Sequence, residues 1–247
     1  RLDFSHAISD KLNLQYGATT TYHMFNPALI TRAGYSDFRM NRSYALEHTI
    51  YFGSEQHLSK AITVNYGARL TAFRNMGKTL QYHYDNNYDV SGATEYGSGK
   101  IYHTYIRPEF RAGMVYKLDD WSSVKANFTH NTQFIQIANN SDSGSPLDLW
   151  FPASPNIKPQ EANQYSVGYF RNFKENTIET SVEFYYKGMK NVIDFKDNAQ
   201  ILFNEKLDGD IRTGKGKSYG MEIMVKKNTG RLTGFVNYTL AHTDRTI

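Results

Sequence analysis

The chain has 247 residues, a net charge of +4, no cysteine, 19 Tyr and 15 Phe against 2 Trp, and a mean hydropathy of −0.60. Zero cysteine excludes a disulfide framework and a thiolate metal site, and the even spread of charge leaves no nucleic-acid footprint. No run approaches the ~20 apolar residues of a membrane helix, and no basic-then-apolar leader opens the chain.

Period-2 alternation is the dominant signal. A stub at Leu2–Ile8 reads as strand, followed by Lys11–Met24, where Leu12, Leu14, Tyr16, Ala18, Tyr22 and Met24 alternate with polar residues. Tyr44–Phe52 is a weaker strand. From Ile62 the set Ile62, Val64, Tyr66, Ala68, Leu70 and Ala72 is wholly apolar, against Thr63, Asn65, Gly67, Arg69 and Thr71. Tyr105–Leu118, the Val124/Ala126/Phe128 run and Gln164–Phe170 follow. The series closes with Ile178–Tyr186, Tyr219–Val225 and Leu232–Leu240. That makes about ten strands.

The connections alternate strictly. Ser9-Asp10, Glu55–Ser59, Lys117–Asp120, Asn172–Asn176 and Lys227–Gly230 are short polar turns. Phe25–Arg42, Asn75–Lys100, Ile135–Asn163 and Gly188–Lys217 are long polar segments. An up-and-down membrane barrel has this rhythm, with tight periplasmic turns at one end and long outward loops at the other. Such a barrel also turns its apolar face to lipid and keeps a polar interior. Ile62, Val64, Leu70, Val182, Ile223 and Val236 therefore read as lipid-facing, and Arg69, Glu109, Arg111, Glu183 and Glu222 as facing a lumen that is either water-lined or plugged. The competing reading of the same alternation is a soluble sheet with a solvated outer face. Aromatics beside the turns (Tyr116, Trp121, Tyr169, Phe170 and Phe173) fit an interfacial girdle and favour the membrane.

Pro155-Asn156-Ile157-Lys158-Pro159-Gln160-Glu161 resembles the Pro-Asn-Leu-Lys-Pro-Glu stretch of TonB-dependent outer-membrane receptors. In the same order come Tyr165-Ser166-Val167-Gly168-Tyr169, Val182-Glu183-Phe184-Tyr185-Tyr186 and Asn191-Val192-Ile193-Asp194-Phe195. Ser218-Tyr219-Gly220-Met221-Glu222 and Phe235-Val236-Asn237-Tyr238-Thr239 complete the likeness, and Tyr66-Gly67-Ala68-Arg69-Leu70 resembles a common barrel strand of the family. The resemblance implies an all-β, antiparallel up-and-down transmembrane barrel of about 22 strands, of which residues 1–247 form one part. Both ends read as cuts, so the signal peptide, plug domain and final strands are expected outside this sequence. It further implies a receptor in the outer membrane of a Gram-negative bacterium that imports a siderophore, cobalamin, oligosaccharide or similar nutrient. Its implied partners are lipid, the plug, the TonB complex and the nutrient. A non-transporting adhesin or porin-like barrel is the alternative. Gly168 reads either as room for a plug backbone or as a bend in a tilted strand.

Catalytic chemistry finds no support. Gly209–Gly216 imitates a phosphate loop, but Gly216 stands where Ser or Thr is needed and no helix pattern follows. Ser122 and Lys125 spell Ser-x-x-Lys, yet an odd spacing in a strand puts them on opposite faces. The 8 His show no metal spacing, and Asp85–Asp89 lacks the glycine and distal Glu of a calcium loop. No cofactor is expected. Recognition falls to the aromatic, acceptor-rich long segments: Tyr82, Tyr84, Asp85 and Asn87 in one, Trp150 and Phe151 in another.

Overall fold

A computed structural model describes residues 1–26, 29–30, 38–39, 41–138, 149–201 and 203–247. In chain order the strands are β1 (Leu2–Ser9), β2 (Leu12–Phe25), β3 (Leu29–Ile30), β4 (Phe38–Arg39), β5 (Ser43–His57) and β6 (Ile62–Met76). Then come β7 (Thr79–Tyr84), β8 (Val90–Tyr96), β9 (Ile101–Lys117), β10 (Ser122–Gln133), β11 (Ile135–Ala138) and β12 (Leu149–Pro152). Last are β13 (Gln160–Phe173), β14 (Ile178–Phe195), a 3-10 turn at Leu207–Asp210, β15 (Ile211–Lys227) and β16 (Gly234–Thr246).

Ten strands form one open antiparallel sheet in the order β1-β2-β5-β6-β9-β10-β13-β14-β15-β16. The remaining six make three two-stranded hairpins, β3–β4, β7–β8 and β11–β12. Each hairpin, and the 3-10 turn, interrupts a long connection, so every accessory element lies at the same end of the sheet. Each wall strand pairs with the next wall strand, which is an up-and-down meander.

The wall strands outrun the apolar alternation. β14 and β15 remain paired from Ile178↔Lys227 to Phe195↔Ile211, so half of the expected loop Gly188–Lys217 is strand, and the connection shrinks to 196–210. Lys187, Lys190, Lys215 and Lys217 make this stretch look like a turn. Ladder hydrogen bonds need only the backbone, however, so polar residues continue a strand once it has risen past an apolar band. A bulge at Lys190/Val192, with Asn191 at φ 55°, absorbs one residue there. Likewise Asn75–Lys100 contains β7–β8, and Ile135–Asn163 contains β11–β12 and the start of β13. Parts of the expected loops Phe25–Arg42 and Ile135–Asn163, namely 27–28, 31–37, 40 and 139–148, lie outside the described residues.

The register carries one face across all ten strands. Leu70 pairs with Ile50 and Pro108, Phe128 with Ala112 and Tyr165, and Val182 with Tyr169 and Ile223. This face is bare: Ile50, Leu70, Ile106, Phe110, Val167 and Phe184 all stand in the open. So many exposed large apolar side chains on one continuous surface require an apolar solvent or partner. Tyr116, Trp121, Tyr169 and Phe173 stand exposed near its short-turn end. Phe170 departs from the expected girdle. It shares the opposite face with Gly168, and the Lys125 Nζ lies 4.2 Å from its ring centroid.

The opposite face is polar along most of its height. Arg69 pairs with Glu109, Gly67 with Arg111 and Glu183 with Glu222. Towards the long-loop end it turns apolar, and there the connections fold over it. Ala45, Phe73 and Tyr105 of the wall pack against Phe134 and Ala153. The Phe73 and Phe134 rings stack at 5.0 Å. A second cluster of Ala138, Leu149, Phe151, Ile157, Ile201, Leu207 and Ile211 binds the connections to one another. The buried core among the described residues thus lies in the loop cap and not between two layers.

Candidate ligand-recognition site

The segment after β12 acts as a spine for the cap. Ala153 and Ser154 offer carbonyls that accept the Asn75 amide at 2.8 Å and the Tyr105 hydroxyl at 2.8 Å, both buried. Pro159 is fully buried, and its carbonyl accepts the Asn191 amide at 2.9 Å. Between them, Ser154 and Ile157 close a turn by bonding each other's backbone at 3.0 and 3.1 Å. Proline at 155 fixes φ as such a turn requires. The Pro-Asn-Ile-Lys-Pro stretch is therefore tied to β6, β9 and the outer part of β14.

Asp208 sits where three connections meet. Its carboxylate accepts the Ser154 hydroxyl at 2.8 Å and the Asn156 amide at 2.9 Å. The same Asn156 amide donates to the Tyr82 carbonyl at 3.1 Å, and Gln81 also donates to Asp208. Burial pushes the Asp208 carboxyl above the usual range for Asp, against the opposing pull of Asn156, Ser154 and Gln81.

A cleft of about 120 Å³ opens beside this junction, and Tyr82, Tyr84, Trp150 and Phe151 all line it. The structure so brings together four of the six loop residues singled out above. Their situations differ. Trp150 is 57% exposed, whereas Phe151 is packed in the second cluster. Tyr84 braces the cap: its hydroxyl donates to the Lys206 carbonyl at 3.2 Å, and its ring fills the space a Cβ on Gly209 would need. Burial and the nearby Asp208 push the Tyr84 phenol up to about 12. Asp85 and Asn87 are outside the cleft, at the tip of β7–β8. There the Asp85 carboxylate accepts the amides of Asn87 and Asp89 at 2.8 and 3.0 Å, so it shapes the turn.

Lower on the same face, Arg69, Glu109 and Arg111 line a second hollow. The Arg69–Glu109 contact is 3.8 Å, and Glu109 also accepts the Thr132 amide at 2.9 Å. Arg111 lies flat across two strands, over the paired Gly53 and Gly67, whose Cβ positions would come within 2.8 and 2.9 Å of its guanidinium nitrogens. Glu183 and Glu222 stand directly opposite each other and have no cationic partner among the described residues. The space beside Gly168 is filled, not left for another backbone: a Cβ there would meet Glu183 at 2.8 Å and the Phe170 ring at 2.9 Å.

Sequence reasoning missed Asn156 as a junction residue, and it missed Asp208 and Ser154 altogether. The only hint was Asp208 beside the false phosphate loop, whose residues 211–216 are strand β15. Among the described residues no three His, Cys, Asp or Glu gather to hold a metal.

A long-stranded meander with a bare apolar face, a charged opposite face and all its elaboration at one end is a piece of transmembrane β-barrel wall. The chain matches the TonB dependent receptor-like β-barrel family over residues 1–246 and belongs to it. In fold it is similar to the FrpB iron transporter from Neisseria meningitidis, with a TM-score of 0.65 and 12% identity over 98% of this chain and 34% of that one. The ferric-catecholate import receptor Fiu from E. coli K12 aligns at TM-score 0.56 and 15% identity, over 93% of this chain and 35% of Fiu. The copper transporter OprC aligns at 0.61 and 12%, over 94% of this chain and 36% of OprC. The chain thus spans about a third of the length of these structures. No curated protein sequence matches it.

Proposed function

We propose that the chain is part of the wall and outer mouth of a receptor in a Gram-negative outer membrane, which captures a scarce nutrient with its long connections and imports it with TonB-supplied energy. Family membership supports the class, and the transporters of similar fold support import. The observation that carries the recognition step is the convergence of Tyr82, Tyr84, Trp150 and Phe151 on one cleft in the loop cap. A plugged barrel offers an arriving ligand only its outer surface.

In the complete receptor these ten strands join others to close the barrel. A plug packs against Arg69, Glu109, Arg111, Glu183 and Glu222. Like charges opposite each other destabilise a sheet unless a countercharge joins them, so Glu183 and Glu222 support a basic partner from that plug. The test replaces residues 79–96 and, separately, 135–152 by Gly/Ser linkers in the full-length receptor, and measures uptake by whole cells after confirming insertion. Loss of uptake in either is expected. Unchanged binding and uptake in both would place recognition elsewhere, and binding without uptake in the unaltered receptor would make it an adhesin-like barrel.

A further inference from the structure

The pairing of β9 with β10 stops short while both strands go on. β9 pairs with β6 from Ile62↔Tyr116 to Met76↔Ile101, but β10 follows it only from Ser123↔Lys117 to His130↔Phe110. β10 itself continues beside β13 as far as Gln133↔Gln160. Among the described residues no other strand takes up the outer half of β9 on that side. The cause is Pro108. Continuing the register sets Pro108 against Thr132, whose amide points towards β9, since it donates to the Glu109 carboxylate at 2.9 Å. An antiparallel pair in that setting exchanges two N–H···O bonds, and proline has no N–H to give. Proline within a sheet belongs at an edge, and here it makes one.

Side chains close the edge instead of a ladder. Arg107 of β9 reaches past the end of β10 to Glu161 of β13, an ion pair at 2.9 Å without hydrogen-bond alignment. Beyond Gln133 the chain leaves the wall, and the Phe134 ring stacks on Phe73 of β6. The returning segment carries Ala153 and Ser154, whose carbonyls accept Asn75 of β6 and Tyr105 of β9. It ends at Pro159, whose carbonyl accepts Asn191 of β14, and enters β13 at Gln160. Residues 153–159 thus form a strap across the seam, tied to β6 and β9 at one end and to β13 and β14 at the other. Ser154 also lines the loop cleft, so the strap joins the cleft to the seam. Opening is least costly where few backbone ladder bonds have to break. We infer that the outer wall opens along this seam. The strands up to β9 and those from β10 onward hinge at Phe110 and His130, and the Arg107–Glu161 pair and the strap hold them shut.

The test uses the full-length receptor in lipid vesicles, with spin labels on pairs of introduced cysteines and label-to-label distance as the readout. This chain has no cysteine of its own to interfere. Thr104→Cys with Lys190→Cys spans the seam at exposed positions. Thr104→Cys with Tyr22→Cys spans as many strands on the β1 side of it and serves as the control. Glu161→Gln removes the ion pair, and Tyr105→Phe removes only the hydroxyl that holds the strap. Each should lengthen the spanning distance by about 5 Å, the width of one strand, and leave the control distance unchanged. Adding Pro108→Val to Glu161→Gln should cancel the change, because the ladder can then close. A spanning distance that neither variant moves overturns the inference. So does an equal change in the control pair, or an effect that Pro108→Val leaves in place.

Discussion

The Asn156 side-chain amide donates to the Asp208 carboxylate at 2.9 Å, joining residues 52 apart in the chain and locking the turn after β12 to the 3-10 turn before β15. Because Ser154 and Gln81 reach the same carboxylate, one acid holds three connections in register over the barrel mouth.

Asp208→Ala should loosen the cap and leave the wall intact. Each donor left without an acceptor costs about 1–3 kcal/mol, and Asn156, Ser154 and Gln81 all lose one. Limited proteolysis of the inserted receptor should show new cleavage within 196–210, with heat-modifiable migration of the barrel unchanged. Undiminished protease resistance would mean that the second apolar cluster alone holds the cap.

The same carboxyl gives the cap a pH dependence of definite sign. Its pKa is raised by burial above the ordinary 3.8, so the folded cap binds the proton more tightly than the open one. The contribution is fully present below 3.8 and is lost as pH rises through the raised value. Hydrogen exchange of amides 81–84 and 204–210, corrected for intrinsic rates, should report more protection on acidification from neutrality. Asp208→Asn should flatten that slope, and protection that falls on acidification would contradict the assignment.

The two faces of β13 should respond differently to one substitution. Val167 is 47% exposed on the bare face, and Gln164 lies on the polar one. Val167→Arg should cost about 2–4 kcal/mol in the complete barrel and Gln164→Arg far less. Urea unfolding in lipid vesicles measures both, and equal costs would reverse or erase the assignment of faces.

Gly67 should not tolerate a methyl group. A Cβ there would lie 2.8 Å from the Phe52 carbonyl oxygen and 2.9 Å from Arg111, while Gly97 has nothing within 4 Å. Gly67→Ala should therefore cost about 1–3 kcal/mol of barrel stability by overpacking, and Gly97→Ala should be neutral. A neutral Gly67→Ala would show that both the Phe52 carbonyl and Arg111 give way without cost.

Strand order, the two faces and the alternation of short turns with long connections were legible because each is a local, periodic property. A period of two over Ile62–Ala72 fixes which residues share a face whatever the rest of the chain does, and turn length fixes which strands are neighbours. Where that periodicity lapses, the reading failed. Lys187–Lys190 and Lys215–Lys217 look like loop and are strand, since the backbone pairs there without apolar side chains. Phe170 looks like girdle and lies on the polar face beside Gly168. The cap was decided by tertiary structure alone. Asp208, Asn156, Ser154 and Gln81 lie in three separate connections, follow no common period and meet only when the wall brings those connections together. A side-chain hydrogen bond across 52 residues leaves no trace in local spacing.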